Sequence, residues 1–130
     1  MHLLQPPGWD TPRGYSNGVA ARGTVVYVAG QVGWDERRQV VPGGLVPQVE
    51  RALQNIAAIL GEAGGRPGHV ARMTWYVLDK SEYLAAQKEI GRVYRAIFED
   101  HYPAMTLVEV AGLLEEGALV EIEATAVLPD

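Results

Sequence analysis

The residues of this chain best suited to chemistry are carboxylates. Glu121 and Glu123 stand two apart in the alternating run Ala118–Leu128, which reads as a strand, so both project from one face. If the turn around Glu115-Glu116-Gly117 closes an antiparallel hairpin with the run Met105–Ala111, Glu109 comes close to Glu121. Like charges opposed on a sheet destabilise it unless a cation, a donor or a bound proton relieves them. On an open face such a cluster is merely solvated; in a cleft, one of its members could orient a water or move a proton. Other reactive types are poorly placed. The absence of cysteine removes disulfides, thiolate metal sites and cysteine nucleophiles together. Ser16 and Ser81 are the only serines; neither sits in a nucleophile elbow, and Ser81 suits a helix start. His2, His69 and His101 are scattered, without the local spacing of metal ligands, so no metal centre is expected. Pro42-Gly43-Gly44 lacks the spacing of a phosphate loop and reads as a turn into a helix.

These residues must be held by elements whose periods are readable. The lead-in from Met1 to Gly14, with Pro6, Pro7 and Pro12, predicts irregular structure. Thr24–Ala29 is a β-branched and aromatic run between glycines, hence a strand, and Gln39–Val41 could form a short edge strand. Val46, Val49, Leu53, Ile56 and Leu60 recur at helical spacing, with Pro47 tolerable only in the first turn and Gly64-Gly65 ending the helix. Val70–Leu78 returns to strand composition. Asp79 or Ser81 then caps a second helix with Leu84, Ile90, Tyr94, Ile97 and Phe98 on its core face, closed by Pro103. In the last strand Val120, Ile122, Ala124 and Ala126 share the face opposite Glu121 and Glu123.

The order of elements predicts one α+β domain over residues 1–130, with two helices on one face of a mixed sheet. Two helices cover only one face, so the other is expected to meet copies of the same chain, with Val26, Val28, Trp75 and Val77 as candidate contact residues. The length of 130 residues permits a full core, and 48% hydrophobic with 21% charged residues is a globular composition. A net charge of −5 repels phosphate polymers, so no nucleic-acid partner is expected. With no basic start followed by an apolar run, and no long apolar stretch, the expected location is cytoplasmic, away from membranes.

Gly14-Tyr15-Ser16-Asn17, Val28-Ala29-Gly30-Gln31-Val32-Gly33, Gln54-Asn55-Ile56, Pro103-Ala104 and the ending Leu119–Val127 follow one another in a recognisable order. Together they make the chain resemble the Rid/YjgF family of reactive intermediate deaminases, whose older label is L-PSP endoribonuclease. The resemblance runs from Gly14 to Val127. It implies a chorismate-mutase-like fold, a homotrimer with intersubunit clefts, and hydrolysis of enamines or imines to a 2-oxo acid and ammonia without a cofactor. It also implies roles. Tyr15 matches a cleft tyrosine. Gly30 matches the glycine of a Ser-Gly-Gln segment whose serine is here Ala29. Glu121 matches the glutamate that positions the attacking water, which the Leu107 carbonyl would help to hold. Gly91 falls where the family has a cleft asparagine, with Gln87 nearby. Met105 replaces the arginine of Pro-Ala-Arg.

That arginine grips the substrate carboxylate through a charge-assisted contact worth ~1.5–3 kcal/mol, and methionine offers only a flexible apolar wall. The chain therefore resembles an arginine-less branch: either its ligand lacks a carboxylate, or another cation such as Arg13 or Arg72 stands in. The reading is hydrolytic deamination of a small enamine, imine or related nitrogen metabolite in an intersubunit cleft. The alternative is a non-catalytic trimer that binds a small metabolite. A third, endoribonuclease, is opposed by the charge.

Overall fold

The computed structural model describes all residues from Met1 to Asp130. Two short strands, β1 (His2–Leu4) and β2 (Gly18–Ala20), pair antiparallel, so the proline-rich lead-in expected to be irregular is tied back on itself. Next come β3 (Thr24–Val32), α1 (Leu45–Glu62), β4 (Val70–Val77), α2 (Lys80–Ala85), α3 (Gln87–Phe98), β5 (Ala104–Glu109) and β6 (Val120–Leu128). Gln39–Val41 contributes only an isolated bridge, Trp34 to Val40, and no strand.

α1 follows Gly43 and Gly44, whose φ values of 109° and 90° are open to glycine and strained for other residues. It buries Val49, Leu53, Ile56 and Leu60 as the spacing predicts, but the first-turn residue that it buries is Leu45, with the expected Val46 only half-buried. Its end is a Schellman turn: Gly64, at φ 78°, donates to the Gly61 carbonyl, and the Gly65 N–H bonds the Leu60 carbonyl at 2.8 Å. Asp79 caps α2 by accepting from the Ser81 and Glu82 N–H groups at 2.9 and 3.2 Å. The second helix is expected to be continuous, but it breaks at Ala86 into α2 and α3. No weak helix former stands at the break. Its effect is to turn Tyr83 inward, edge-on to Trp75, and to leave Leu84, expected in the core, 58% exposed.

The main sheet runs β3-β6-β4-β5, with β6 antiparallel to both neighbours and β4 parallel to β5. The expected β5–β6 hairpin is therefore absent. β5 is an edge strand, and the chain from Val110 to Leu119 carries β6 past β4 into the middle of the sheet. Glu109 lies beside Val77 and accepts from the Lys80 N–H at 2.9 Å, two strands away from β6. A central strand must bury one face fully, and Val120, Ile122 and Ala126 are all 0% exposed. The helices cover one face only. Val28, Trp75 and Val77, taken from the sequence as candidate contacts between copies, are instead buried in the core beneath them, with Val26 packed against it. The open face carries other apolar groups: Tyr27 is 79% and Val25 46% exposed.

Candidate functional site

On the helix side of the edge strand, α3 does not close fully onto β5. The gap is a cavity of about 500 Å³, and Tyr15, Gly91, Met105 and Leu107 all line it. Met105 and Leu107 reach it because alternate residues of β5 face the helices. Tyr15 is brought there by Ser16, which bridges to Ala104, donates its N–H to the Pro103 carbonyl at 3.0 Å and its hydroxyl to the Tyr102 carbonyl. The walls are aromatic. Tyr83 meets Trp75 edge-on at 6.3 Å, and Tyr94 stacks on Tyr102 at 5.4 Å. Burial raises the Tyr83 hydroxyl above the ordinary tyrosine value and pushes that of Tyr94 well above it. Tyr94 donates its proton to the His101 carbonyl at 2.6 Å.

Two guanidinium groups, Arg13 and Arg95, complete the lining. Neither is paired with a carboxylate, since the chain's one ion pair joins Arg51 to Glu36. Trp75 forms part of the wall, and its buried Nε1 has no hydrogen-bond partner. A cavity with apolar walls and two unpaired cations suits a small planar anion.

Glu121, Gly30 and Ala29 lie elsewhere. By the alternation of β6, Glu121 projects from the open face, with Glu123 and with Tyr76 of β4 beside it. Between Val28 and Gln31 the register of β3 against β6 shifts by one residue, a bulge formed by Ala29 and Gly30. The Glu121 carboxylate fills the space that a Cβ at position 30 would occupy, which accounts for a glycine there. Glu123 accepts from the Tyr76 hydroxyl at 2.6 Å, and that bond raises the Tyr76 pKa. This donor relieves one of two neighbouring carboxylates.

One chain thus gathers Tyr15, Gly91, Met105 and Leu107 at one cavity and sets Ala29, Gly30 and Glu121 on the opposite face of the sheet. Of the two cations weighed as stand-ins, Arg13 lines this cavity, whereas Arg72 lines a smaller hollow with Tyr15 and Met105 and also borders Glu123 on the open face. Arg95 and the aromatic walls escaped the sequence reading. The available signal was the spacing Gly91–Arg95, one helical turn, beside the inward-facing Ile90 and Tyr94.

A family model described as endoribonuclease L-PSP matches residues 9–128. The chain is 38% identical over 114 residues to the 2-iminobutanoate/2-iminopropanoate deaminase of Capra hircus, covering 87% of this chain and 79% of that one. To the Homo sapiens protein of the same name it is 32% identical over 128 residues, covering 98% and 88%. Among solved structures it is similar to YyfB of Yersinia pestis, a protein of unknown function from the conserved Rid family, with a TM-score of 0.86, 31% identity and 98% of each chain covered.

Proposed function

The chain belongs to the Rid/YjgF family, the one described by the endoribonuclease L-PSP model, and on that premise we propose that it hydrolyses a small reactive imine or enamine to a carbonyl compound and ammonia. The observation that carries this reading is the seating of Glu121. Its carboxylate lies over the Ala29–Gly30 bulge on an open face, where only glycine leaves room for it. A carboxylate lying against the backbone and free of any partner in its own chain is suited to accept a proton from water as that water adds to the imine carbon, and to return it to the departing nitrogen. Curated relatives at 32–38% identity carry the name of an imine deaminase, which supports the same chemistry.

The cavity residues and Glu121 belong to opposite faces of the sheet, so we place the complete site between copies: the cavity of one chain faces the Glu121 of its neighbour in a homotrimer. Tyr15, Gly91 and Met105 then shape the substrate pocket. Leu107 lies on an edge strand that its own chain bridges on the outer side only at Ala104, through Ser16, so the Leu107 carbonyl suits a water ligand. Light scattering should give three times the chain mass of 14.1 kDa, and a monomer would exclude the shared site.

The decisive measurement is ammonia release from imines generated in situ. Glu121→Gln keeps the shape and removes the base, so turnover should fall by ~100-fold or more. Equal rates in wild type and variant would remove Glu121 from the mechanism. A second reading, a non-catalytic binder of a small metabolite, is favoured by Met105, which supplies no charge where an arginine would grip a carboxylate. It predicts tight ligand binding with no turnover in the same assay.

A further inference from the structure

Resting on the deaminase reading of this cleft, we propose that its ligand is an aromatic 2-imino acid, with the matching 2-oxo acid as product, whose carboxylate is held by Arg95 and whose ring lies among the cavity's aromatic walls. The first argument is size. A cavity of about 500 Å³ is far larger than a short aliphatic imino acid requires. The second is composition. Tyr15, Trp75, Tyr83, Tyr94 and Tyr102 all line it together with Met105 of β5, and thioether sulfur packs well on rings.

The third argument concerns Arg95 and Gly91. In α3 they are one turn apart, and a Cβ built on Gly91 would lie 3.0 Å from the Arg95 Nη1. The guanidinium therefore lies back along the helix over the space where another residue would carry its side chain. Glycine is a poor residue inside a helix, and here it admits the cation to the cavity. A guanidinium offers a carboxylate two parallel bonds, and Arg95 has no carboxylate partner within the chain. Arg13, equally unpaired, is a second cation at the same cavity. Trp75 and Tyr94 contribute rings and no polar contact: the Trp75 Nε1 is fully buried, and the Tyr94 hydroxyl is committed to the His101 carbonyl.

Arg95 also lies in the last turn of α3, where a cation favours the helix dipole. Binding separates that structural role from the one proposed. The experiment is calorimetric titration of the assembled full-length protein with phenylpyruvate, its neutral methyl ester and 2-oxobutanoate. Phenylpyruvate should bind about ten-fold or more tightly than 2-oxobutanoate, because only it fills the aromatic walls. Arg95→Gln should weaken phenylpyruvate by about ten-fold or more and leave the methyl ester unchanged, whereas Arg92→Gln on the same helix should alter neither. Equal affinity for the two oxo acids, or an Arg95→Gln variant that binds phenylpyruvate like wild type, overturns the proposal. These titrations need no turnover. A protein that binds as described but releases no ammonia from any imine sinks the deaminase reading alone, and one that hydrolyses imines but prefers the aliphatic ones sinks this inference alone.

Discussion

Against the edge strand β5, Arg13 and Arg95 stand among aromatic rings without a carboxylate partner; across the sheet, Glu121 stands on an open face with Glu123 next to it, and only Glu123 is relieved by Tyr76. Each region holds charged groups that form no ion pair in their own chain: two arginines at the cavity, and on the open face two glutamates with Arg72 near Glu123. Each also uses a glycine to seat the charged group: Gly30 beneath the Glu121 carboxylate, Gly91 beneath the Arg95 guanidinium. The two seats differ in clearance. A Cβ at Gly30 would overlap the Glu121 carboxylate and press on the Glu121 Cγ at 3.1 Å, whereas one at Gly91 would meet only the end of the Arg95 side chain, at 3.0 Å. Cavity and acidic face are thus complementary halves, and the acidic half is the less forgiving.

The largest effect expected from that difference is at Gly30. Gly30→Ala would place a methyl group where the Glu121 carboxylate now lies, and a misplacement of that order at a reacting group costs ~100-fold in rate. Gly91→Ala, by contrast, needs Arg95 to shift by only a few tenths of an ångström, and it should leave kcat within about three-fold while raising the helix propensity of α3. The check is kcat and KM for both variants on one imine. Similar losses at the two glycines would erase the distinction between a tight and a loose seat.

The elements that hold these groups were legible to different degrees. α1 could be read from its spacing and its terminal glycines, because both signals are local. The faces of β6 followed from strict alternation, so the side on which Glu121 lies was legible as well. The position of β6 in the sheet was not. Turn residues at Glu115–Gly117 fit a hairpin as well as a longer passage across β4, and strand pairing depends on partners distant in sequence. The break at Ala86 was hidden for a related reason: Leu84-Ala85-Ala86-Gln87 is good helix sequence, and the docking of Tyr83 on Trp75 is a tertiary contact. Of the cleft residues, those at motif positions were recognisable, while Arg95 was not, because its place depends on a gap between α3 and β5 that periodicity does not describe.

A smaller effect should separate the cavity wall from the core behind it. Trp75 is 2% exposed and touches both. Trp75→Phe removes apolar volume, which destabilises, but also removes an N–H buried without a partner, and leaving such a donor unpaired costs ~1–3 kcal/mol. The two nearly cancel, so the ligand-free protein should change by less than ~1 kcal/mol in urea titration, against ~2–5 kcal/mol for Ile122→Ala on the same core. Phenylpyruvate affinity should nevertheless fall in Trp75→Phe. A loss of stability as large as that of Ile122→Ala would make Trp75 a core residue first and a cavity residue second.

The smallest effect expected belongs to a residue outside both regions, and it sharpens how their pH dependence is read. His69, in the 3-10 turn Pro67–His69 before β4, accepts the Arg66 N–H on Nδ1 at 3.2 Å, a bond that requires an unprotonated nitrogen. Burial, then the Arg66 and His101 charges, hold its pKa below the ordinary 6.5. The unfolded chain therefore takes up this proton more readily than the folded one. His69 contributes stability that is fully present above pH 6.5 and is lost as pH falls through that value toward the lowered folded pKa. Asp35 does not share the window: the Gln39 and Arg37 N–H groups hold its carboxyl below 3.8, so its contribution is lost only in stronger acid. Urea midpoints should accordingly decline between about pH 7 and pH 5, and His69→Gln should flatten that decline without altering turnover at pH 7.5. An activity loss near pH 6 that survives His69→Gln then belongs to the cleft. If the variant shows the wild-type slope, His69 does not set the acid limb of stability.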